Sequence, residues 1–227
     1  MLYIIDTADV EAIRHINEFY PISGVTTNPS IISREKTDLK KLLLTIREII
    51  GPDKMLHVQT TGKTAEEIVK EAKMLKKLLG DNFYIKVPIG EAGLKATMQL
   101  KKEGEIPVTM TTIFSAAQAL MAAKAGAAFV APYVNRLDMV NGNGVQVVAD
   151  IVNTFAQYDD IDCKVLAASF KNVQQVSDAA LCGCQSVTIA PDIFRALISH
   201  PLADIAVKQF DADWNACYGG KKVAELL

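Results

Sequence analysis

Short apolar runs rich in β-branched residues recur along the chain, and between them apolar residues return at every third or fourth position. The runs predict eight strands, at Leu2–Asp6, Gly24–Thr27, Met55–Gln59, Phe83–Val87, Ile106–Met110, Phe129–Tyr133, Lys164–Ser169 and Ser186–Ile189. The intervening stretches predict amphipathic helices. Leu39, Leu42, Leu43, Ile46, Ile49 and Ile50 form one apolar stripe, and Ile68, Val69, Ala72, Leu75, Leu78 and Leu79 form another. Thr64 with Glu67 three positions on reads as a capping box opening the second of these helices. Glycines fall just ahead of the strands, at Gly24, Gly51, Gly80, Gly104, Gly126 and Gly183, where a helix would need a left-handed residue at its end.

The repeating unit is therefore strand, loop, helix, glycine, strand. Eight such units predict an α/β fold closed into a parallel (β/α)8 TIM barrel more readily than an open doubly wound sheet. One further helical pattern follows the eighth unit, within about residues 201–217, with Ile205, Ala206, Phe210 and Trp214 on one side. The expected organisation is one domain over 1–227. The last helix buries its apolar side by folding back or by crossing onto another subunit, and the pattern does not choose between these.

Composition narrows the function classes. The net charge of −2 over 227 residues argues against a nucleic-acid partner, and lysine-rich runs such as Lys73 to Lys77 read as solvated helix faces. No apolar run is long enough to span a bilayer, and no basic stretch precedes the first strand, so neither a membrane partner nor a signal peptide is expected. Cys163, Cys182, Cys184 and Cys217 do not form a disulfide framework in a chain of this length, and Cys182-Gly183-Cys184 lacks the second half of a metal site. A reducing cytoplasm is the expected compartment. No dinucleotide fingerprint or phosphate loop follows any strand. Asn141-Gly142-Asn143-Gly144 precedes a helix from Val145 to Phe155 without the lysine a phosphate loop needs.

Candidate chemistry lies at the predicted strand ends, where catalytic groups of such barrels gather. Lys86 closes the fourth strand among Phe83, Tyr84, Ile85 and Val87. Desolvation there would lower its pKa and free a nucleophilic amine, or the side chain could snorkel to water. Other strand ends carry Asp6, then Thr26, Thr27 and Asn28, then Gln59, Thr111, Tyr133 with Asn135 and Arg136, and Ser169 with Lys171. Alternation places Ile4 with Asp6, His57 with Gln59, Tyr84 with Lys86, Ala131 with Tyr133, and Ala167 with Ser169, each pair on one strand face. If that face points inward, an acid, an amine, an amide and a phenol converge. Asp6 alone reads equally as a partner of Lys86 or as an N-cap for the helix beginning near Asp9.

Taken in order, Asp6-Thr7, Gly24-Val25-Thr26-Thr27-Asn28-Pro29-Ser30, Lys86-Val87-Pro88, Ala131-Pro132-Tyr133-Val134-Asn135-Arg136 and Ala167-Ala168-Ser169-Phe170-Lys171 resemble the transaldolase family. The resemblance covers essentially the whole chain, and the length suits the short branch that includes fructose-6-phosphate aldolases. It implies class I aldolase chemistry, without metal or cofactor, on small phosphorylated sugars. By this resemblance Lys86 forms the Schiff base and Asp6 assists proton transfer. Asn28 holds the dihydroxyacetone end, Arg136 and Ser169 form the phosphate-binding pair with Lys171 beside them, and Thr26 and Asn135 are further substrate-binding positions. Lys171 stands where longer transaldolases have arginine, which keeps the charge and loses the bidentate fork.

Two positions bear on which reaction is run. Transaldolases carry glutamate and phenylalanine where this chain has Gln59 and Tyr133, and fructose-6-phosphate aldolases carry glutamine and tyrosine. The resemblance therefore implies that Tyr133, with a water held by Gln59 and Thr111, protonates the enamine and releases dihydroxyacetone. Met110, where such aldolases have glycine, and His57, where an aromatic is usual, are departures. The alternatives are transfer of dihydroxyacetone to an acceptor such as erythrose 4-phosphate, or an inactive sugar-phosphate-binding scaffold. The resemblance also implies a homo-oligomer, often a decamer of two pentamers, with the last helix reaching a neighbour.

Overall fold

Eight parallel strands close on themselves in sequence order: β1 (Leu2–Asp6), β2 (Gly24–Thr26), β3 (Met55–Gln59), β4 (Phe83–Pro88), β5 (Val108–Ile113), β6 (Phe129–Pro132), β7 (Lys164–Ala167) and β8 (Ser186–Ile189). The computed structural model describes every residue from Met1 to Leu227. It divides into two compact units, Met1–Phe194 and Arg195–Leu227.

In the first unit, each strand returns to the next through one or two helices: α1 (Val10–Phe19), α2 (Pro29–Arg34), α3 (Leu39–Ile50), α4 (Ala65–Leu79), α5 (Glu91–Glu103), α6 (Ala116–Lys124), α7 (Val134–Asp138), α8 (Gly144–Phe155) and α9 (Val173–Leu181). The two predicted stripes occupy α3 and α4. Leu42, Leu43, Ile46 and Ile50 are buried on the first, and Ile68, Val69, Ala72 and Leu79 on the second. The capping box at Thr64 and Glu67 forms as expected. Helix α10 (Pro191–Ile198) buries Ile193 and Phe194, and Phe194 meets the rings of Tyr3 and Tyr20 edge-on at 6.1 and 5.9 Å.

Sheet register decides which side chains enter the barrel, because laterally paired residues of parallel strands point the same way. Asp6 pairs with Thr26, Thr26 with His57, His57 with Tyr84, Gln59 with Lys86, Lys86 with Thr109, and Thr109 with Phe129. The lower interior is filled by Ile4, Phe129 and Leu166, with Met55 and Tyr84 against them.

Three expectations are corrected, and the departure at Met110 is located. Gly24 is not a helix cap; it lies within β2, where a Cβ would stand 2.3 Å from the Met55 carbonyl oxygen, so the residue permits a close approach of β2 and β3. The fifth strand starts at Val108 and runs through Thr111 to Ile113. Its register to β6 shifts between Met110 and Ile113 while Thr112 takes φ +60°, a bulge that reverses the alternation beyond Thr111. The seventh strand ends at Ala167, and its inward residues are Lys164 and Leu166, which pair with Phe129 and Ser186. Ala167 therefore faces the helices. Ser169 does not share a strand face with it, because the chain has left the sheet and Ser169 sits at φ +64°. Met110 pairs with Val87 and Val130, so it points outward beneath the helices and not toward the barrel mouth.

In the second unit, α11 (Pro201–Tyr218) starts behind His200, whose Nδ1 accepts the Leu202 N–H at 3.2 Å. None of its 18 residues is buried, and Leu202, Ile205, Val207 and Phe210 are exposed. Near its end Trp214 donates through Nε1 to the Lys221 carbonyl at 2.7 Å and its ring lies tilted at 39° to that of Tyr218, centroids 4.5 Å apart. No helix of the chain is long and apolar enough to cross a membrane.

Candidate active site

Lys86 projects into the barrel from the upper half of β4 and is 4 % exposed. Its Nζ donates to the Thr27 carbonyl at 2.9 Å, so the side chain is held inside and does not snorkel to water. Burial pushes its pKa below the ordinary lysine value of 10.5, while the nearby Asp6 carboxylate pushes it the other way. The result is an amine that loses its proton more readily than a surface lysine, as attack on a carbonyl carbon requires.

Asp6 is not a helix cap. Asp9 performs that task for α1, accepting the backbone N–H groups of Glu11 and Ala12 at 3.0 Å. The Asp6 carboxylate instead accepts the Thr26 hydroxyl through Oδ1 at 2.6 Å, and Thr26 is bonded in turn to Thr188 at 2.6 Å. Thr26 is fully buried and its hydroxyl is engaged with both Asp6 and Thr188, so its one donor is spent on Asp6. Asn28 caps α2 through Oδ1, which accepts the Ile31 N–H at 3.0 Å and leaves its amide N–H groups free.

Thr111 and Tyr133 meet as expected, with 2.9 Å between Oγ1 and the phenol oxygen. The bulge in β5 makes this possible: the Tyr133 N–H bonds to the Ile113 carbonyl beyond it, which sets the ring over the strand end. Phe114 packs edge-on against the Tyr133 ring at 5.5 Å, and the Arg136 guanidinium lies 4.8 Å from its centroid. Gln59 makes no direct bond to Thr111 or Tyr133. It sits beside Lys86 in register, but its Oε1 is buried without a partner, and the residue lines a cavity of about 650 Å³ with Pro29, Ile32, Leu75 and Leu78.

The loops after β6 and β7 lie side by side, since Val134 N–H bonds to the Ala168 carbonyl and Asn135 N–H to the Ser169 carbonyl at 2.9 and 2.8 Å. Asn135 is also held by Gln175, 3.4 Å from its Oδ1. Arg136, in α7, and Lys171, in the loop after β7, are exposed, and Ser169 is half-buried. Their arrangement offers two cations and a hydroxyl beside the barrel mouth, a combination suited to a phosphate.

Sequence reasoning missed Thr188, Thr109 and the Thr27 carbonyl. Thr188 was legible as an inward polar residue of the eighth strand, two positions beyond Ser186. Thr109 bonds to His57 Nδ1 at 2.9 Å, and the His57 ring stacks on Tyr84 with centroids 4.5 Å apart. His57 is fully buried; burial and then the Lys86 charge press its pKa down to about 3, so it is a neutral ring under the lysine.

The family model described as transaldolase/fructose-6-phosphate aldolase matches residues 3–224. The chain belongs to this transaldolase/fructose-6-phosphate aldolase family. Solved structures share the barrel at low identity. A flavocytochrome b2 variant with benzoylformate matches with TM-score 0.63 and 13% identity over 84% of this chain. This chain spans only 57% of that flavocytochrome chain. A mandelate oxidase variant with a monooxide FMN adduct matches with TM-score 0.59 and 11% identity, over 84% of this chain and 64% of its own. A native KDPGal structure matches with TM-score 0.59 and 16% identity, over 87% of this chain and 85% of its own.

Proposed function

We propose that the protein cleaves fructose 6-phosphate reversibly to dihydroxyacetone and glyceraldehyde 3-phosphate. Neutral Lys86 attacks the C2 carbonyl, and loss of water gives an imine. Protonated, the imine draws electrons as the C3–C4 bond breaks, while the C4 hydroxyl proton passes to Asp6. Arg136, Ser169 and Lys171, with Asn135, hold the departing phosphate end, and Asn28 holds the dihydroxyacetone end. The remaining enamine takes a proton by way of Tyr133, and hydrolysis frees the lysine.

The observation that carries this reading over transfer to an acceptor is the Tyr133 phenol, 2.9 Å from Thr111 Oγ1 two strands from the lysine. A phenol can relay a proton to the enamine, and a phenylalanine could not. Removing the group should slow only the steps after carbon–carbon cleavage. Tyr133→Phe is therefore expected to lower release of free dihydroxyacetone roughly 10²-fold while borohydride still traps the lysine adduct. Undiminished release by that variant overturns the assignment. Wild-type enzyme that releases dihydroxyacetone only when erythrose 4-phosphate is present establishes transaldolase activity instead. A chain that gains no mass on borohydride treatment with dihydroxyacetone is a scaffold.

The protein is further proposed to act in the cytoplasm and to assemble with copies of itself, as the family's rings of two pentamers do. Exposed Leu202, Ile205, Val207 and Phe210 on α11 support assembly, since such a surface is costly to leave in water. Light scattering is expected to give a mass several times the 24.7 kDa of one chain, and a lone 24.7 kDa species overturns the assembly.

A further inference from the structure

The inner face of β8 carries two hydroxyls, and they are used differently. Ser186 donates to the Val165 carbonyl at 2.7 Å, a local bond to the neighbouring strand. Thr188 bonds to no backbone group. Its Oγ1 lies 2.6 Å from that of Thr26, a contact that crosses the inner face of β1, to which β8 and β2 are both paired. Thr188 is 2 % exposed and Thr26 fully buried, so bulk solvent does not reach either hydroxyl.

The direction of the two bonds follows from proton count. Thr26 has one hydroxyl proton, and the Asp6 carboxylate, 2.6 Å away, can only accept. Thr26 therefore donates to Asp6, and Thr188 donates to Thr26. Each donation polarises the next, and the last is charge-assisted, so the pair strengthens the hold on Oδ1 beyond what one hydroxyl achieves. With Oδ1 claimed, the second carboxylate oxygen is the one left to take and return the substrate proton.

We propose that Thr188 is a positioning residue of the reaction, acting through Thr26 to fix the orientation and charge of Asp6. The proposal rests on the aldolase reading above. It requires that Thr188 influence proton transfer without touching substrate, so its loss should appear in kcat and not in KM. Thr188→Val keeps the shape of the side chain and removes the donor. It is expected to lower kcat roughly threefold to tenfold, the range for one buried hydrogen bond, with KM within about twofold of wild type. Thr188→Ser restores the donor and should return kcat to near wild type. Thr188→Ala repeats the removal without added bulk, should the valine variant fold poorly. Because the chain runs through Thr26, the Thr26→Val/Thr188→Val double variant should be no slower than Thr26→Val alone.

Borohydride trapping with dihydroxyacetone on the wild-type enzyme separates the two levels. If wild type traps the adduct but Thr188→Val and Thr188→Ala keep their full kcat, the positioning role is overturned and the aldolase reading stands. Equal loss in Thr188→Ser and Thr188→Val, or additive losses in the double variant, overturns it likewise. If wild type traps no adduct, the aldolase reading fails and the role assigned to Thr188 fails with it.

Discussion

Replacing Lys86 with arginine is expected to reduce turnover by at least about 10⁴-fold and to abolish borohydride trapping. Arginine stays protonated at any working pH and offers no lone pair to a carbonyl carbon. Lys86→Met, which keeps an unbranched chain in the buried site, separates chemistry from folding: it should remain folded and equally inactive. The same group sets a pH dependence. Attack needs the neutral amine, and burial has moved the lysine pKa below 10.5. As pH rises through that lowered pKa, the fraction of free enzyme able to attack rises, so kcat/KM should climb along an acid limb whose midpoint lies below the ordinary lysine value. A midpoint at the ordinary value would place the amine in water, and residual turnover in Lys86→Arg would remove it from the reaction altogether.

The strands legible in the sequence are those whose apolar residues face both the helices and the packed interior. Leu2–Asp6, Met55–Gln59 and Ser186–Ile189 have the bounds that the apolar pattern gives. The two strands that were misplaced, β5 and β7, end in irregular backbone. A bulge at Thr112 carries β5 three residues past Met110, and the left-handed Ser169 lies beyond the true end of β7. Apolar periodicity reports burial and carries no information about φ, so neither feature leaves a trace in it. Both are at the mouth of the barrel, where the chain gives up regular pairing to aim Tyr133 and Ser169.

The candidate residues divide along a similar line. Lys86 and Asp6 were legible as polar strand ends on one alternating face, but spacing left open whether the lysine snorkels or the aspartate caps a helix, and only the resemblance gave them roles. What could not be read was who bonds to whom. Thr26 and Thr188 are 162 positions apart, and only closure of the barrel brings them together. Gln59 was placed on the right strand and beside the lysine, and spacing gave no sign that its amide oxygen is buried without a protein partner. Side-chain hydrogen bonds across a barrel depend on rotamer and register at once, and neither is contained in residue spacing.

The second large effect concerns His57 and stability. The ring is fully buried and its pKa is pressed from 6.5 to about 3, first by burial and then by the Lys86 charge. An unfolded chain takes up a proton on this residue below pH 6.5, and the folded chain refuses it until about pH 3. The unfolded state therefore binds more protons in this window, and stability falls as pH drops through it. Each pH unit costs up to about 1.4 kcal/mol, so between pH 6.5 and pH 5 the loss from this one ring is about 2 kcal/mol. The window is clear of the acidic groups. Hydrogen bonds from Lys95, Lys76 and Lys124 hold Glu66, Asp81 and Asp160 below their ordinary values of 4.5, 3.8 and 3.8, and whatever these contribute is lost only at lower pH. His57→Phe retains the stack on Tyr84 and leaves the Thr109 hydroxyl without a partner, costing about 1–3 kcal/mol at pH 7. Urea unfolding at pH 7 and pH 5 should show that deficit shrinking by about 2 kcal/mol at the lower pH, because the variant has no ring to protonate. Groups common to both proteins cancel in the comparison. An unchanged deficit would mean that the ring reaches solvent or takes its proton in the folded state, and the neutral floor beneath Lys86 would be lost.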